Sequence, residues 1–156
     1  MKTNLVETTD GVDLRIISLL QEDSRLSFKK ISNRLGISVG MAFNRVKNLE
    51  KKGVLKGYTV ILDSVKLGYN LTVIIQIQAE GGHLTEVERE ISKSANVIAV
   101  YDTAGSFDAA LVSKFKDGVD LTAFIDHLRA MPHVKQATTI VAFNVIKEDC
   151  VKLPIR

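Results

Sequence analysis

The 156-residue chain is 46% hydrophobic and 25% charged, with no low-complexity tract, the profile of a globular protein that can bury a sizeable core. No apolar run reaches the roughly 18 residues that cross a bilayer, and Met1 to Asp10 has no apolar stretch flanked by basic charge. The lone Cys150 has no partner for an internal disulfide, so a cytoplasmic protein without membrane contact is expected.

The net charge of +3 hides an asymmetry, because residues 1–62 carry +5 and residues 63–156 carry −2. Between Arg25 and Tyr58, nine basic side chains stand against Glu50 alone. A local excess of +8 on so short a segment is the electrostatic footprint of phosphate contacts.

Along the chain, Ile16, Ile17, Leu19 and Leu20 recur at helical spacing between Asp13 and Gln21, with Asp13 as the expected cap. Ser27 caps a second helix over Phe28 to Leu35, and Gly36 stops it. After the turn Gly36-Ile37-Ser38, Ser38 caps a third helix that reaches Lys52, with Ala42, Val46 and Leu49 inward and Gly53 beyond its end. Two short helices across so tight a turn form a helix-turn-helix. The stretch Val54 to Leu62 reads as a small β element, a wing.

Asp63 to Gly68 interrupts the pattern and is expected to be a linker between a DNA-binding domain, residues 1–62, and a second domain, residues 69–156. Leu71 to Ala79 alternates as a strand, and Thr85-x-x-Glu88 reads as a capping box that opens a helix. Val97 to Thr103 and Phe107 to Phe115 read as strands around Ala104-Gly105-Ser106. Asp120 is the expected cap of a further helix ending before Pro132, and Val134 to Ile146 the last strand. The order β-α-β-β-α-β is the ferredoxin-like arrangement, so the fold class is α+β: a winged helix-turn-helix followed by a ferredoxin-like domain. Helices cover one sheet face, yet the last two strands are apolar on both, as Leu111 and Phe115 oppose Ala110 and Val112, and Val141, Phe143 and Val145 oppose Ile140, Ala142 and Ile146. A second copy covering the other face is the expected reason.

On the third helix, Gly40, Asn44 and Lys47 point away from the inward row, and Met41, Arg45 and Asn48 lie on one flank. Arg45 suits bidentate contact with guanine, Asn44 suits adenine and Met41 a thymine methyl, while an ion pair or a phosphate clamp is the competing role for Arg45. Ser27, Ser38, Lys29, Lys30 and Arg34 are placed for phosphate, with Lys51, Lys52 and Lys56 meeting the backbone from the far end. In the second domain, three loops share one sheet edge. Gly81, Gly82 and Gly105 leave room for a small molecule there. Asp102, Thr103, Ser106, Asp108, Thr138 and Thr139 offer hydrogen-bonding groups for an amino and a carboxylate group, and turn chemistry is the competing explanation. His83 and His133 are placed near Asp102 and His127 on a helix, but no pair has a compact ligand spacing, so no metal is expected. No nucleophile with a neighbouring base, phosphate loop or HExxH motif is visible, so no catalysis and no cofactor are expected.

The run Val12-Asp13-x-x-Ile16-Ile17-x-x-Leu20-x-x-Asp23-x-Arg25, then Leu35-Gly36-Ile37-Ser38, Arg45-Val46-Lys47-x-Leu49-Glu50-x-x-Gly53-Val54-Leu55-x-Gly57-Tyr58 and Gly105-x-Phe107-Asp108, resembles the leucine-responsive regulatory protein and asparagine-operon regulator (Lrp/AsnC) family over almost the whole chain. Gly40 departs from the Ser, Thr or Pro frequent nearby. The resemblance implies a DNA-binding transcription regulator with an amino-acid effector, pairing into dimers that often assemble into octamers. It places the effector near Asp102, Thr103, Ala104, Gly105, Ser106 and Asp108 and the start of the last strand at Thr138 and Thr139, with His83 at the same edge. Glutamine is a candidate effector by resemblance to archaeal glutamine-sensing members. A metabolite-binding module without DNA binding and a metal-responsive repressor are the alternatives.

Overall fold

A computed structural model describes residues 9–148 together with Leu153 and Ile155; the expectations for the first residues and for Cys150 lie outside these. The described residues fall into two compact units, 9–61 with Leu153 and Ile155, and 62–148. Ile155 packs on the core of the first unit.

The first unit holds α1 (Gly11–Glu22), α2 (Phe28–Leu35) and α3 (Val39–Lys51). Asp10, not Asp13, caps α1: its carboxylate accepts the Val12 and Asp13 amides, and Asp13 reciprocates one turn in. Ser27 and Ser38 cap α2 and α3 as the pattern predicts, and Gly36 takes the left-handed φ of 68° that ends α2. Ile16, Ile17, Leu20, Ile31, Ala42, Val46 and Leu49 form the core. Each larger aliphatic side chain fully buried contributes about 1.5–3 kcal/mol.

In the segment expected as the wing, residues 52–70 contain no strand. Val54 and Leu55 pack on the helical core, while Val60, Ile61 and Leu62 are exposed. A single two-stranded hairpin without a covering layer is marginal in water, which fits the absence of a ladder. The expected linker is a hydrogen-bonded turn of the second unit, with Asp63 Oδ1 accepting the Lys66 amide, Ser64 O accepting the Tyr69 amide and Gly68 at φ 86°.

The second unit runs β1 (Leu71–Ala79), α4 (Leu84–Ile91), β2 (Val97–Asp102), β3 (Ala109–Phe115), α5 (Gly118–Ala130) and β4 (Val134–Ala142). The antiparallel sheet has the order β2-β3-β1-β4, the ferredoxin-like topology. Val73, Ile75, Ile77, Leu111 and Phe115 pack with Val87, Ile91, Phe124 and Leu128 of the helices.

Several element ends differ from the sequence reading. His83 rather than Thr85 precedes α4, and no side chain caps it. Asp117 rather than Asp120 caps α5, accepting the Val119 and Asp120 amides. Strand β2 ends at Asp102 and β3 begins at Ala109, with the Thr103 amide donating to Asp108 O across the turn between them. Strand β4 stops at Ala142 because β1 is its sole neighbour in the sheet and their last pair is Thr72↔Ala142. Phe143, Val145 and Ile146 therefore leave the sheet. The opposed apolar faces survive within the strands: Val112, Ile74 and Ile140 form one cross-strand row on the face away from the helices.

Candidate DNA interface and effector region

The tight turn works because Gly36 donates to Ser32 O and the Ile37 amide reaches the same carbonyl at 3.1 Å, while Ser38 Oγ accepts the Met41 amide. Ala42 is fully buried, so α2 and α3 approach closely. Facing solvent from α3 are Val39, Gly40, Met41, Phe43, Asn44, Lys47 and Asn48. Phe43, which sequence alone leaves unassigned, meets Phe28 edge to face at 5.2 Å and ties α3 to α2.

Arg45 has a different place from the one expected. Its Nη1 donates to Asp10 Oδ2 at 2.7 Å and Asp13 Oδ1 at 2.8 Å, both at the start of α1. Asp13 is buried and the Arg45 side chain is 29% exposed, so the guanidinium is committed to holding α3 on α1. Within the chain Arg45 therefore makes the ion pair that competes with a guanine contact. The Asp13 amide, then the Arg45 guanidinium, hold the Asp10 carboxyl below the usual range. Sequence reasoning missed both carboxylates because 32 residues separate Asp13 from Arg45.

Lys47 donates to Glu50 Oε2 at 2.6 Å, and Tyr58 OH donates to Glu50 Oε1 at 3.0 Å. Burial, then Glu50, pushes the Tyr58 phenol up to about 12. Lys29, Lys30, Arg34, Lys51 and Lys56 are exposed around the helices, and Arg34 makes one loose contact with Glu22 at 3.9 Å. Ser27 and Ser38 already accept an amide of their own helix, which leaves each hydroxyl hydrogen to donate outward.

The expected effector residues lie on different strands and turns of one chain. Asp102, Thr103, Ala104, Gly105 and Ser106 are exposed on the β2–β3 turn, and Gly105 has φ 149°. Thr103 Oγ1 donates to Phe107 O, and Asp108 Oδ2 accepts the Ala79 amide at 2.9 Å, so both spend polar atoms on the fold. Thr138 and Thr139 point to opposite faces of β4, paired with Gln76 and Ile75. Strand β4 is also an edge, with β1 and β3 between it and β2. His83 stacks its ring on His133 at 3.7 Å. A cleft of about 500 Å³ lies beside this pair, lined by Glu86, Glu90, His127, Met131 and His133 among others.

A capped helix-turn-helix in a basic segment, followed by a ferredoxin-like domain, defines a DNA-binding transcriptional regulator with a separate regulatory domain. Residues 9–56 match the model of the winged helix-turn-helix DNA-binding family, and residues 72–151 match that of the Lrp/AsnC ligand binding domain. The chain belongs to the Lrp/AsnC family; it is a transcriptional regulator of that type with a ligand-binding domain, not an enzyme. An uncharacterised HTH-type transcriptional regulator of Pyrococcus furiosus is 42% identical over 90% of this chain and 95% of its own. The regulator FL11 of Pyrococcus horikoshii is 29% identical over 94% and 97%. Among solved structures, an AsnC family transcriptional regulator from Agrobacterium tumefaciens superposes with a TM-score of 0.86 at 26% identity, covering 94% of this chain and 97% of that one. A Neisseria meningitidis transcriptional regulator in complex with L-Met shares the fold, with a TM-score of 0.82 at 24% identity over 90% and 93%.

Proposed function

We propose that two copies of the chain pair through the sheet face opposite the helices, so that two α3 helices read a near-palindromic site together and an amino acid alters their assembly or DNA affinity. The observation that carries this reading is the row Val112–Ile74–Ile140, continued by Ala99 on β2. Ile74 and Ile140 are 40% and 46% exposed in a single chain, an apolar strip that a second copy removes from water. Two-fold pairing imposes two-fold symmetry on the DNA site.

The exposed groups of Asp102 and Ser106, with the backbone at Ala104 and Gly105, are the effector contacts of this proposal. A neighbouring copy closes the site with Thr138, because one chain alone keeps these groups on separate strands. Octamers are a further level of the same assembly. Glutamine is a candidate by resemblance, and methionine joins the screen because the Neisseria meningitidis relative holds it.

Sedimentation at micromolar concentration with each of twenty amino acids, paired with binding to DNA upstream of the gene, tests the proposal. A dimer or larger assembly is expected, converted to monomer by Ile74→Arg. A monomeric parent chain overturns the pairing; equal affinity for upstream and random DNA at physiological salt overturns sequence-specific reading. Indifference of stability and assembly to every amino acid overturns the effector class.

A further inference from the structure

We propose that His83, Glu86 and His133 form a binding site for a divalent transition-metal ion of the zinc class, with Glu80 as a positioning residue behind His133. One ligand atom from each of the three lies within 4.8 Å of the others, a spread that modest side-chain rotation closes around one ion. Glu80 and His83 lie in the β1–α4 connection, Glu86 in the first turn of α4 and His133 in the α5–β4 connection.

The two connections are fastened together by backbone, since the Glu80 amide donates to His133 O at 2.8 Å. His133 Nδ1 lies 2.8 Å from Glu80 Oε2. That contact places a proton on Nδ1 and leaves the Nε2 lone pair for a metal, the carboxylate–histidine–metal pattern. His83 and Glu86, three residues apart at the start of α4, supply a second imidazole and a carboxylate. Two imidazoles and one carboxylate with an open fourth position are a zinc-type donor set.

A second feature points to the side chain of His133 rather than to turn chemistry. Among the described residues, His133 alone combines a positive φ, 66°, with a Cβ, where a glycine or asparagine serves a plain turn at lower cost. All three histidines of the chain, moreover, lie around one region: His83 stacks on His133, and His127 lines the same cleft as Glu86 and His133. The stacked rings are within 5° of parallel, so their in-plane lone pairs do not converge; metal uptake swings one imidazole about its Cβ–Cγ bond and unstacks the pair.

The test titrates the full-length chain, free of any histidine tag, with Zn²⁺ by calorimetry and Co²⁺ by visible absorption. One ion per chain is expected, with the intense d–d bands of four-coordinate cobalt and a shift of the His83 and His133 imidazole proton resonances. His83→Gln and His133→Asn should each weaken binding at least about tenfold, and Glu80→Gln about tenfold, the usual effect of losing a partner behind a ligand. Asparagine at position 133 tolerates the left-handed backbone, and circular dichroism of each variant confirms folding. His127→Gln should bind as the parent does. No saturable binding, unchanged affinity in folded His83→Gln and His133→Asn, or loss confined to His127→Gln overturns the site. Neither DNA nor an amino acid enters the measurement, so its outcome is separate from that of the regulator reading.

Discussion

Asp13 and Arg45 stand 32 residues apart in the chain and 2.8 Å apart in the fold, with the carboxylate buried against the guanidinium. Asp10 completes the clasp at 2.7 Å, so the side chain best suited to read guanine instead fixes the angle between α1 and α3.

Arg45→Ala should lower stability by about 2 kcal/mol in urea denaturation, because it strands the Asp13 carboxylate with no charge-assisted partner. Asp13→Asn should cost less, since a neutral amide can still accept. An Arg45→Ala chain as stable as the parent yet unable to discriminate its operator would restore the guanine contact.

The same clasp sets an acid limit. Asp10 has its pKa lowered below the ordinary 3.8 by the Asp13 amide and then Arg45. Its contribution is therefore complete above 3.8 and lost as pH falls through that value toward the lower folded one. Thermal melts from pH 6 to about 2.5 should show a steeper acid decline in the parent than in Asp10→Asn.

At the alkaline end the sign reverses. Tyr58, raised from 10.0 to about 12 by burial and then by Glu50, favours the protonated phenol in the folded state. Its contribution is full below 10 and fades as pH rises from 10 to 12. Ultraviolet titration should resolve a phenol ionising near 12 that is missing from Tyr58→Phe. A Tyr58 phenol ionising near its ordinary 10.0 would remove the Glu50 contact.

Lys29 and Lys30 together should account for about two units in the slope of log affinity against log salt, with operator and random DNA weakened alike on Ala substitution. Asn44→Ala should behave oppositely, leaving the slope unchanged and costing about 1–3 kcal/mol of discrimination at one base pair. A salt slope indifferent to Lys29 and Lys30 would move the phosphate contacts elsewhere.

Ser113 sits fully buried in β3, and among the described residues its hydroxyl is the one buried side-chain polar atom with no partner. Ser113→Ala should leave stability unchanged or raise it by up to about 1 kcal/mol, read by the same denaturation. A loss beyond 1 kcal/mol would mean that Oγ has a bonding role in the folded protein.

The elements legible in sequence were those whose signal is local. Ser27, Gly36 and Ser38 mark the helix-turn-helix, since each acts on backbone within four residues of itself. Alternation over Leu71 to Ala79 matched a central strand for the same reason. Misplaced ends had a local competitor: Asp13 and Asp120 are cap-type residues three positions inside helices capped by Asp10 and Asp117. The last strand does not extend to Ile146 because its end depends on where β1 begins, at Leu71, far from Ala142 in sequence.

Periodicity and capping chemistry, both short-range properties, were enough for the sequence by itself to determine a helix-turn-helix with its third helix capped by Ser38 and a β-α-β-β-α-β order. Tertiary structure alone decided that Arg45 serves Asp10 and Asp13, that β4 ends at Ala142, and that His83 and His133 stack. Contacts of that kind depend on how distant backbones cross, which no spacing along the chain encodes.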